Sequence, residues 1–202
     1  MDWTSAFSIA SKLKEDLSPY CRKIEIAGSV RREKRHCKDI ELVCQPHMFT
    51  THDMFETPTG DISIFETPGT WDEIISTWDT KFGVEQVIKN GPKYKQVQFR
   101  KSVALDLFIV TPPAEWGVQF LIRTGPSAFS HQVVTKRKWM TKPIDGVRYP
   151  GLLPSIAEVQ DGAVWVNGKI VPMSNEVDFF QFLNIPFVEP KYRLPYTVVP
   201  PR

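Results

Sequence analysis

Apolar and polar positions from residue 4 to residue 110 repeat with the periods of helices and strands. Residues 4–17 carry their apolar side chains on one helical stripe, with Thr4 or Ser5 as the predicted N-cap and Pro19 as the stop. Residues 71–78 have the same spacing and predict a second helix. The pattern of a strand occurs in four segments: 23–27, 39–43, 93–99 and 103–110. The stretch from 46 to 69 is rich in turn-forming residues.

The rest of the chain begins at two consecutive prolines, Pro112 and Pro113, which predict a junction between two parts. Residues 116–122 lead into a turn at 124–126, and residues 127–140 are predicted to be helical. We therefore expect two domains, 1–112 and 113–202.

Two capping and turn signals mark the end of the chain. Asn167-Gly168 lies between two short apolar segments and predicts a hairpin with a two-residue turn. Asn175 is the predicted cap of a last helix over residues 176–183, and an extended proline-rich tail follows from Pro186. The predicted fold class is α+β: a mixed sheet with helices packed on it, followed by a smaller α+β part.

Composition indicates an ordinary globular chain. Of its 202 residues 42% are hydrophobic and 24% are charged. No apolar run is long enough to span a bilayer, and the first residues do not resemble a signal peptide. Three cysteines without a CxxC pair argue against a disulfide framework or a zinc site, so we expect an intracellular, cytoplasmic protein. We also expect a monomer.

Charge gives a local rather than a global signal. The net charge of +2 is only mildly basic. Basic residues cluster at 31–35 and at Lys136, Arg137 and Lys138, followed by Trp139. These clusters are candidate phosphate contacts, and a solvated surface is the alternative.

Three carboxylates are the candidate metal ligands. Side chains alternate along a strand, so Asp39 and Glu41 should share one face while Ile40 enters the core. Asp106 interrupts an apolar strand, where an ionised carboxylate needs a partner or a metal. Carboxylate oxygens are the ligands that Mg²⁺ prefers.

An anion-binding turn is predicted upstream of these carboxylates. Gly28-Ser29 ends a strand, and glycine lets backbone N–H groups approach an anion. Arg32 follows about one helical turn later and can hold phosphate oxygens in fork geometry. An anion cradle together with carboxylates is what phosphoryl-type transfer requires.

The order of these motifs along the chain is specific. Asp39-Ile40-Glu41 follows Gly28-Ser29-Val30-Arg31-Arg32, with ten residues from Ser29 to Asp39. Asp106, Thr124-Gly125-Pro126-Ser127 and the closing segments 176–183 and 189–193 come next. Together they resemble the motifs of the family X, polymerase beta-like, nucleotidyltransferases over nearly all of residues 4–195.

This resemblance implies a catalytic palm over residues 1–112 and a nucleotide-selection subdomain over residues 113–202. Asp39 and Glu41 would hold two Mg²⁺ ions, with Mn²⁺ as a substitute, and Asp106 would hold the catalytic ion and help to deprotonate the primer. Nucleotide contacts would come from Gly28, Ser29, Arg32, Thr124, Gly125 and Ser127. DNA contacts would come from Lys136, Arg137 and Lys138. The lyase and helix-hairpin-helix domains of the family would be absent, as in its smallest viral members.

Three residues depart from the family pattern. Glu41 replaces the usual aspartate, Ile122-Arg123 replaces an aromatic pair that helps to select the sugar, and Ala104 replaces an arginine near the primer end. These departures weaken the case for faithful copying more than the case for nucleotidyl transfer.

The function expected first is a DNA-directed DNA polymerase that fills gaps or extends a primer–template with dNTPs. A template-independent transferase acting on RNA, a protein or a small acceptor is the alternative. A nucleic-acid-binding module without catalysis is a third hypothesis, which the intact carboxylate set disfavours. In the C-terminal tail, Arg193 has a simpler expected role, which is to pair with an acidic neighbour.

Overall fold

The computed structural model describes residues 1–52, 55–100, 103–143 and 146–194. It is a mixed α+β structure whose contacts divide the chain into two compact units. The first unit contains Met1–Ile26 and His36–Thr111, and the second contains Ala27–Arg35 and Pro112–Arg202. The predicted proline-rich tail lies outside the described residues from position 195 onward.

The first unit is built on a five-stranded mixed sheet. Its strands are β1 (Cys21–Ile26), β2 (Ile40–Pro46), β5 (Val84–Asn90), β6 (Tyr94–Phe99) and β7 (Val103–Ile109). Their order across the sheet is β1-β2-β7-β6-β5. Strands β2 and β7 are parallel, whereas the other neighbours are antiparallel.

Helix α1 (Trp3–Leu17) packs on β1 and β2. Ala6, Ala10 and Leu13 lie on its buried stripe, as their spacing predicted. The predicted cap was wrong, because Asp2 caps the helix: its carboxylate accepts a hydrogen bond from the Ser5 backbone N–H at 3.0 Å. The negative side chain also complements the positive end of the helix dipole.

The second helix of this unit, α3 (Thr70–Phe82), contributes aromatic rings to the core. Trp71 packs edge-on against Phe65 and Trp78, and Trp78 packs edge-on against Phe99. Trp78 is fully buried, and its indole N–H donates a hydrogen bond to Asp16 at 3.1 Å. Both tryptophans are therefore core residues of this unit.

Three strands of the first unit lie where the hydrophobic pattern predicted none. Strands β3 (Met48–His52) and β4 (Pro58–Ser63) pair with each other in a separate two-stranded sheet inside the turn-rich stretch. Strand β5 is the sheet edge opposite β1, and most of its side chains are exposed. An exposed strand has no buried face, so apolar residues do not alternate along it.

The second unit combines a three-stranded sheet with helices. Its regular elements, besides the short helix α2 (Gly28–Arg31), are α4 (Trp116–Thr124), α5 (Ser127–Val134), β8 (Ala157–Gln160), β9 (Ala163–Val166), β10 (Lys169–Val171) and α6 (Glu176–Leu183). The predicted hairpin is confirmed: β9 pairs with β10, and Asn167 and Gly168 both have positive φ. Asn175 caps α6 as predicted, with Asp178 completing a capping box.

Helix α5 ends earlier than predicted. The sequence suggested a helix to residue 140, but the helix stops at Val134 and Thr135 is extended. Lys136 then forms an isolated β-bridge with Leu153, and Met140 forms one with Pro150. The β-branched run Val133-Val134-Thr135 favours this change to extended backbone.

None of the helices within the described residues has both the length and the apolar character needed to cross a bilayer.

Candidate active site

Two parallel strands of the first unit place Glu41 directly opposite Asp106. Their neighbours Ile40 and Leu42 on β2, and Leu105 and Leu107 on β7, are fully buried. Side chains alternate between the faces of a sheet, so Glu41 and Asp106 both point to the opposite, partly exposed face. The fold therefore brings together two carboxylates that are 65 residues apart in the sequence.

Two side chains of β6 hold the Asp106 carboxylate. The Tyr94 hydroxyl donates a hydrogen bond to Asp106 Oδ1 at 2.7 Å, and Gln96 Nε2 donates to the same oxygen at 2.8 Å. Gln96 is the register partner of Asp106 across β6 and β7. Gln96, Asp106 and Glu41 thus form one row across three adjacent strands.

The apolar residues around Asp106 predicted a buried side chain, and this prediction was wrong. Asp106 is only partly buried, because the burial pattern of β7 alternates and its apolar neighbours occupy the other face. Solvent and the two hydrogen bonds from β6 are therefore the polar surroundings of this carboxylate.

Asp39 lies just before β2 rather than inside it. The strand begins at Ile40, and Asp39 sits in a bend with a partly buried side chain. The turn therefore sets the orientation of the Asp39 side chain. The prediction that strand alternation sets it, as it does for Glu41, was wrong. Of the three predicted ligands, the sheet register itself brings together Glu41 and Asp106.

These carboxylates suit a hard cation by donor type. Among the described residues, however, no three His, Cys, Asp or Glu side chains are grouped closely enough to hold a metal ion. Mg²⁺ in phosphate-transfer sites is commonly bound by one or two carboxylates together with water and substrate phosphates. The Glu41–Asp106 pair fits that smaller protein contribution.

The predicted anion-binding turn belongs to the second unit. Gly28 has φ of +59°, a left-handed conformation that favours glycine, and it begins the short helix α2. The Ser29 Oγ atom is buried and has no hydrogen-bond partner within the described part of the chain. A buried hydroxyl without a partner is uncommon in proteins and is a candidate contact for a ligand oxygen.

Arg31 is a residue whose role the sequence analysis missed. Its guanidinium donates to Thr124 Oγ1 at 2.7 Å and to both carboxylate oxygens of Glu176, at 2.8 and 2.6 Å. It also lies over the ring of Phe120, 3.9 Å from the centroid. The bidentate pair fastens α2 to α6, and the hydrogen bond to Thr124 fastens it to α4 of the same unit.

Arg193 completes this charge network. It pairs with an acidic neighbour, as predicted for this arginine. Its guanidinium is fully buried and donates to Glu176 Oε1 at 2.7 Å. Burial by itself raises the pKa of Glu176, but hydrogen bonds from Arg31 and Arg193 hold that pKa below its ordinary value on balance. Glu176 is therefore an ionised, buried anchor between two arginines.

The remaining predicted nucleotide contacts lie at the junction of α4 and α5. Thr124 is fully buried, and its backbone oxygen accepts a hydrogen bond from Arg32 at 2.5 Å. Gly125 follows α4, and Ser127 is the exposed first residue of α5. In this structure Thr124 thus connects the arginines of α2 to the end of α4.

The three predicted DNA contacts have different environments. Arg137 turns into the fold, where its Nε donates to the Leu152 backbone oxygen at 2.9 Å and a terminal nitrogen donates to the Leu183 oxygen. Lys136 and Lys138 instead lie beside the ring of Trp139. Of the basic triplet, the two lysines remain available as phosphate contacts.

Tyr94 and Gln96 are further site residues that the sequence analysis did not identify. A usable signal was present, because Tyr94, Gln96 and Gln98 alternate with buried residues along β6. The sequence does not show how β6 and β7 are connected. Their register, which places Gln96 opposite Asp106, could therefore not be worked out from the sequence.

A scan against protein-family models and a search of curated proteins both found no match. The role of each residue therefore depends on the geometry described above and on the motifs in the sequence.

Proposed function

We propose that this chain is a DNA-directed DNA polymerase with a polymerase beta-like palm, which transfers dNMP from dNTP to the 3′-hydroxyl of a primer. The observation that carries the proposal is the register of Glu41 opposite Asp106 on the partly exposed face of the sheet. Carboxylates paired in this way suit the divalent cations that assist nucleotidyl transfer. The ordered motifs around them point to the same reaction.

In this proposal Glu41, Asp106 and the adjacent Asp39 supply oxygen ligands for Mg²⁺. Bound Mg²⁺ would supply Lewis-acid activation of the primer hydroxyl and neutralise charge on the phosphates. Tyr94 and Gln96 hold Asp106 through Oδ1, so the orientation of the carboxylate is fixed before substrate binds. Asp106 Oδ2 is then the atom that we assign to accept the proton of the primer hydroxyl.

The second unit would bind the triphosphate. The Ser29 hydroxyl would donate to a phosphate oxygen, with Gly28 allowing close approach of the backbone and Arg32 adding positive charge. Arg31, Thr124 and Glu176 would act by positioning, because their polar groups hold α2, α4 and α6 together. Gly125 and Ser127 would lie along the sugar and base of the incoming nucleotide.

The test is incorporation on a one-nucleotide-gapped duplex compared with the same primer as a single strand. Each substrate is supplied with dNTPs or rNTPs, and with Mg²⁺ or Mn²⁺. We expect metal-dependent dNMP incorporation on the gapped duplex, directed by the template base. Absence of incorporation with every substrate and metal would contradict the proposal.

A template-independent transferase is the second candidate, and Ile122 favours it. Ile122 packs against the core of the second unit, and its backbone oxygen accepts a hydrogen bond from Ser130 at 2.6 Å. A partly buried aliphatic residue thus stands where the resembled family has an aromatic residue that selects the sugar. Equal incorporation of dNTPs and rNTPs on the single strand would support this candidate over the first.

A further inference from the structure

Trp139 is an exposed aromatic ring in the second unit. Its side chain is 56% exposed, and two ammonium groups lie near the ring. The distance from the ring centroid is 5.2 Å to Lys138 Nζ and 5.9 Å to Lys136 Nζ. A single exposed aromatic residue is ordinary, so the pair of adjacent positive charges is the feature that needs an explanation.

The backbone fixes the position of this ring. Trp139 N donates to the Lys136 oxygen at 2.8 Å, and Gly151 N donates to the Trp139 oxygen at 3.0 Å. The approach of the two segments requires glycine, because a Cβ atom at Gly151 would lie 2.2 Å from the Thr135 oxygen. The indole is therefore presented by a braced turn rather than by a loose loop.

Of the three basic residues at 136–138, only the two lysines have their charged groups beside the ring. Arg137 points inward, where its guanidinium binds backbone oxygens of Leu152 and Leu183. Between residues 136 and 152 the sequence contains five basic residues and one acidic residue, Asp145. This stretch of the chain thus carries an excess of positive charge, which suits a polyanion.

A second exposed ring shows what an ordinary arrangement looks like. Tyr192 is 60% exposed and has Lys191 Nζ 5.2 Å from its centroid. Lys191 is also within 4.0 Å of the Glu33 carboxylate, so a neighbouring acid partly neutralises it. Tyr192 combines an aromatic ring with one partly neutralised lysine and is a matched control for Trp139.

We propose that Trp139 is a stacking platform for an unpaired base of single-stranded nucleic acid, with Lys136 and Lys138 binding the flanking phosphates. This rests on the proposed function in one respect, namely that the strand belongs to the DNA substrate. A base stacked on tryptophan contributes more binding free energy than an exposed cation–π contact does. A base can therefore displace a lysine from the ring face. The ammonium groups then pair with phosphates.

The test is titration of fluorescently labelled oligothymidylate and of a blunt duplex, followed by anisotropy at several salt concentrations. We expect Trp139→Ala to weaken single-strand binding at least about fivefold and Trp139→Phe to keep most of the affinity. Duplex binding should change less than about twofold, because paired bases are not free to stack. The double variant Lys136→Ala/Lys138→Ala should reduce the salt slope for the single strand by about 1.4, which is about 0.7 for each lost phosphate contact.

Tyr192→Ala should bind both ligands like the unmodified protein, and thermal melting should show that each variant is folded. Single-strand affinity of Trp139→Ala equal to that of the unmodified protein would overturn the proposal. So would equal weakening of single-strand and duplex binding.

Measuring incorporation by the unmodified protein beside single-strand binding by Trp139→Ala separates this proposal from the proposed function. If the unmodified protein incorporates no nucleotide but Trp139→Ala still weakens single-strand binding selectively, the polymerase proposal fails and the platform stands. If incorporation is found but Trp139→Ala binds the single strand normally, the stacking proposal fails and the polymerase proposal is unaffected.

Discussion

Glu41 and Asp106 are register partners on the adjacent parallel strands β2 and β7, and both side chains lie on the partly exposed face of the sheet. Two like charges directly opposite each other on neighbouring strands are destabilising. A cation between them, or loss of one charge, relieves that repulsion. This relationship links the proposed catalysis to a measurable effect on stability.

Asp106→Asn should reduce nucleotide incorporation at least about a hundredfold, because a metal ligand and the proposed proton acceptor are lost together. Binding of DNA should be nearly unchanged. Thermal stability should stay equal or rise slightly, since the amide oxygen can still accept from Tyr94 and Gln96. Primer extension and thermal melting measure these effects, and Asp61→Asn, at an exposed position of β4, is the matched control. Substantial incorporation by Asp106→Asn would contradict the assignment.

Addition of Mg²⁺ or Mn²⁺ should raise the melting temperature of the unmodified protein. A ligand at about ten times its Kd stabilises the folded state by about 1.4 kcal/mol. The rise should be smaller in Glu41→Gln and in Asp106→Asn, and a chelator should reverse it. The exposed substitution Glu85→Gln on β5 should leave the rise unchanged. An identical rise in all four proteins would place the metal elsewhere.

Ser29→Ala should weaken triphosphate binding at least about tenfold without loss of stability. Within the described residues the Ser29 Oγ atom has no partner, so its removal breaks no hydrogen bond in the free protein. One hydrogen bond to a charged ligand oxygen contributes about 1.5 kcal/mol. Calorimetric titration with dNTP and thermal melting test the two halves of this prediction. A stability loss without a change in dNTP affinity would show that the hydroxyl has a structural role instead.

The structural elements that the sequence predicted correctly are those whose signal lies within a few neighbouring residues. The stripe of α1, the Asn167-Gly168 hairpin and the Asn175 cap are encoded within a few residues, and the structure contains all three. The strand β5 was missed because its exposed side chains give no alternating pattern. Strands β3 and β4 were missed for a related reason, since they pair mainly with each other and bury few side chains.

The candidate site shows the same limit. Alternation predicted that Ile40 and Leu42 enter the core, and both are fully buried. The pairing of β2 with β7 joins residues about 65 positions apart, and the Arg31–Glu176 pair spans 145 positions. Neither long-range contact has a local signal, so the resemblance to known motifs suggested the carboxylate set but gave no role for Glu176.

Gly117→Ala should destabilise the second unit by about 1–3 kcal/mol through overpacking. A Cβ atom at Gly117 would lie 2.0 Å from the Asn175 backbone oxygen, and Gly117 N donates to the Met173 oxygen at 2.8 Å. The close approach of α4 to the segment before α6 therefore requires glycine. Urea unfolding measures the loss, and Gly91→Ala, where the nearest atom is 3.4 Å away, is the control. Equal stability of the two variants would show that the backbone can shift.

Acid should destabilise the second unit through Glu176. Hydrogen bonds from Arg31 and Arg193 more than offset the effect of burial, so the pKa of Glu176 is lower in the folded protein than in the unfolded chain. A lowered pKa contributes stability that is present above the unfolded pKa of about 4.3 and is lost as pH falls through the folded pKa. Stability should therefore fall between those two pKa values.

Glu176→Gln removes this dependence and leaves two arginines without their carboxylate. We expect a loss of about 3–5 kcal/mol at neutral pH, as for a broken buried ion pair, and a flatter stability profile in acid. Urea unfolding at a series of pH values gives both quantities. The exposed Glu158→Gln on β8 should follow the unmodified protein throughout. If Glu176→Gln kept the full acid dependence, another carboxylate would be responsible for it, and Glu176 would not be the ionised anchor that its hydrogen bonds indicate.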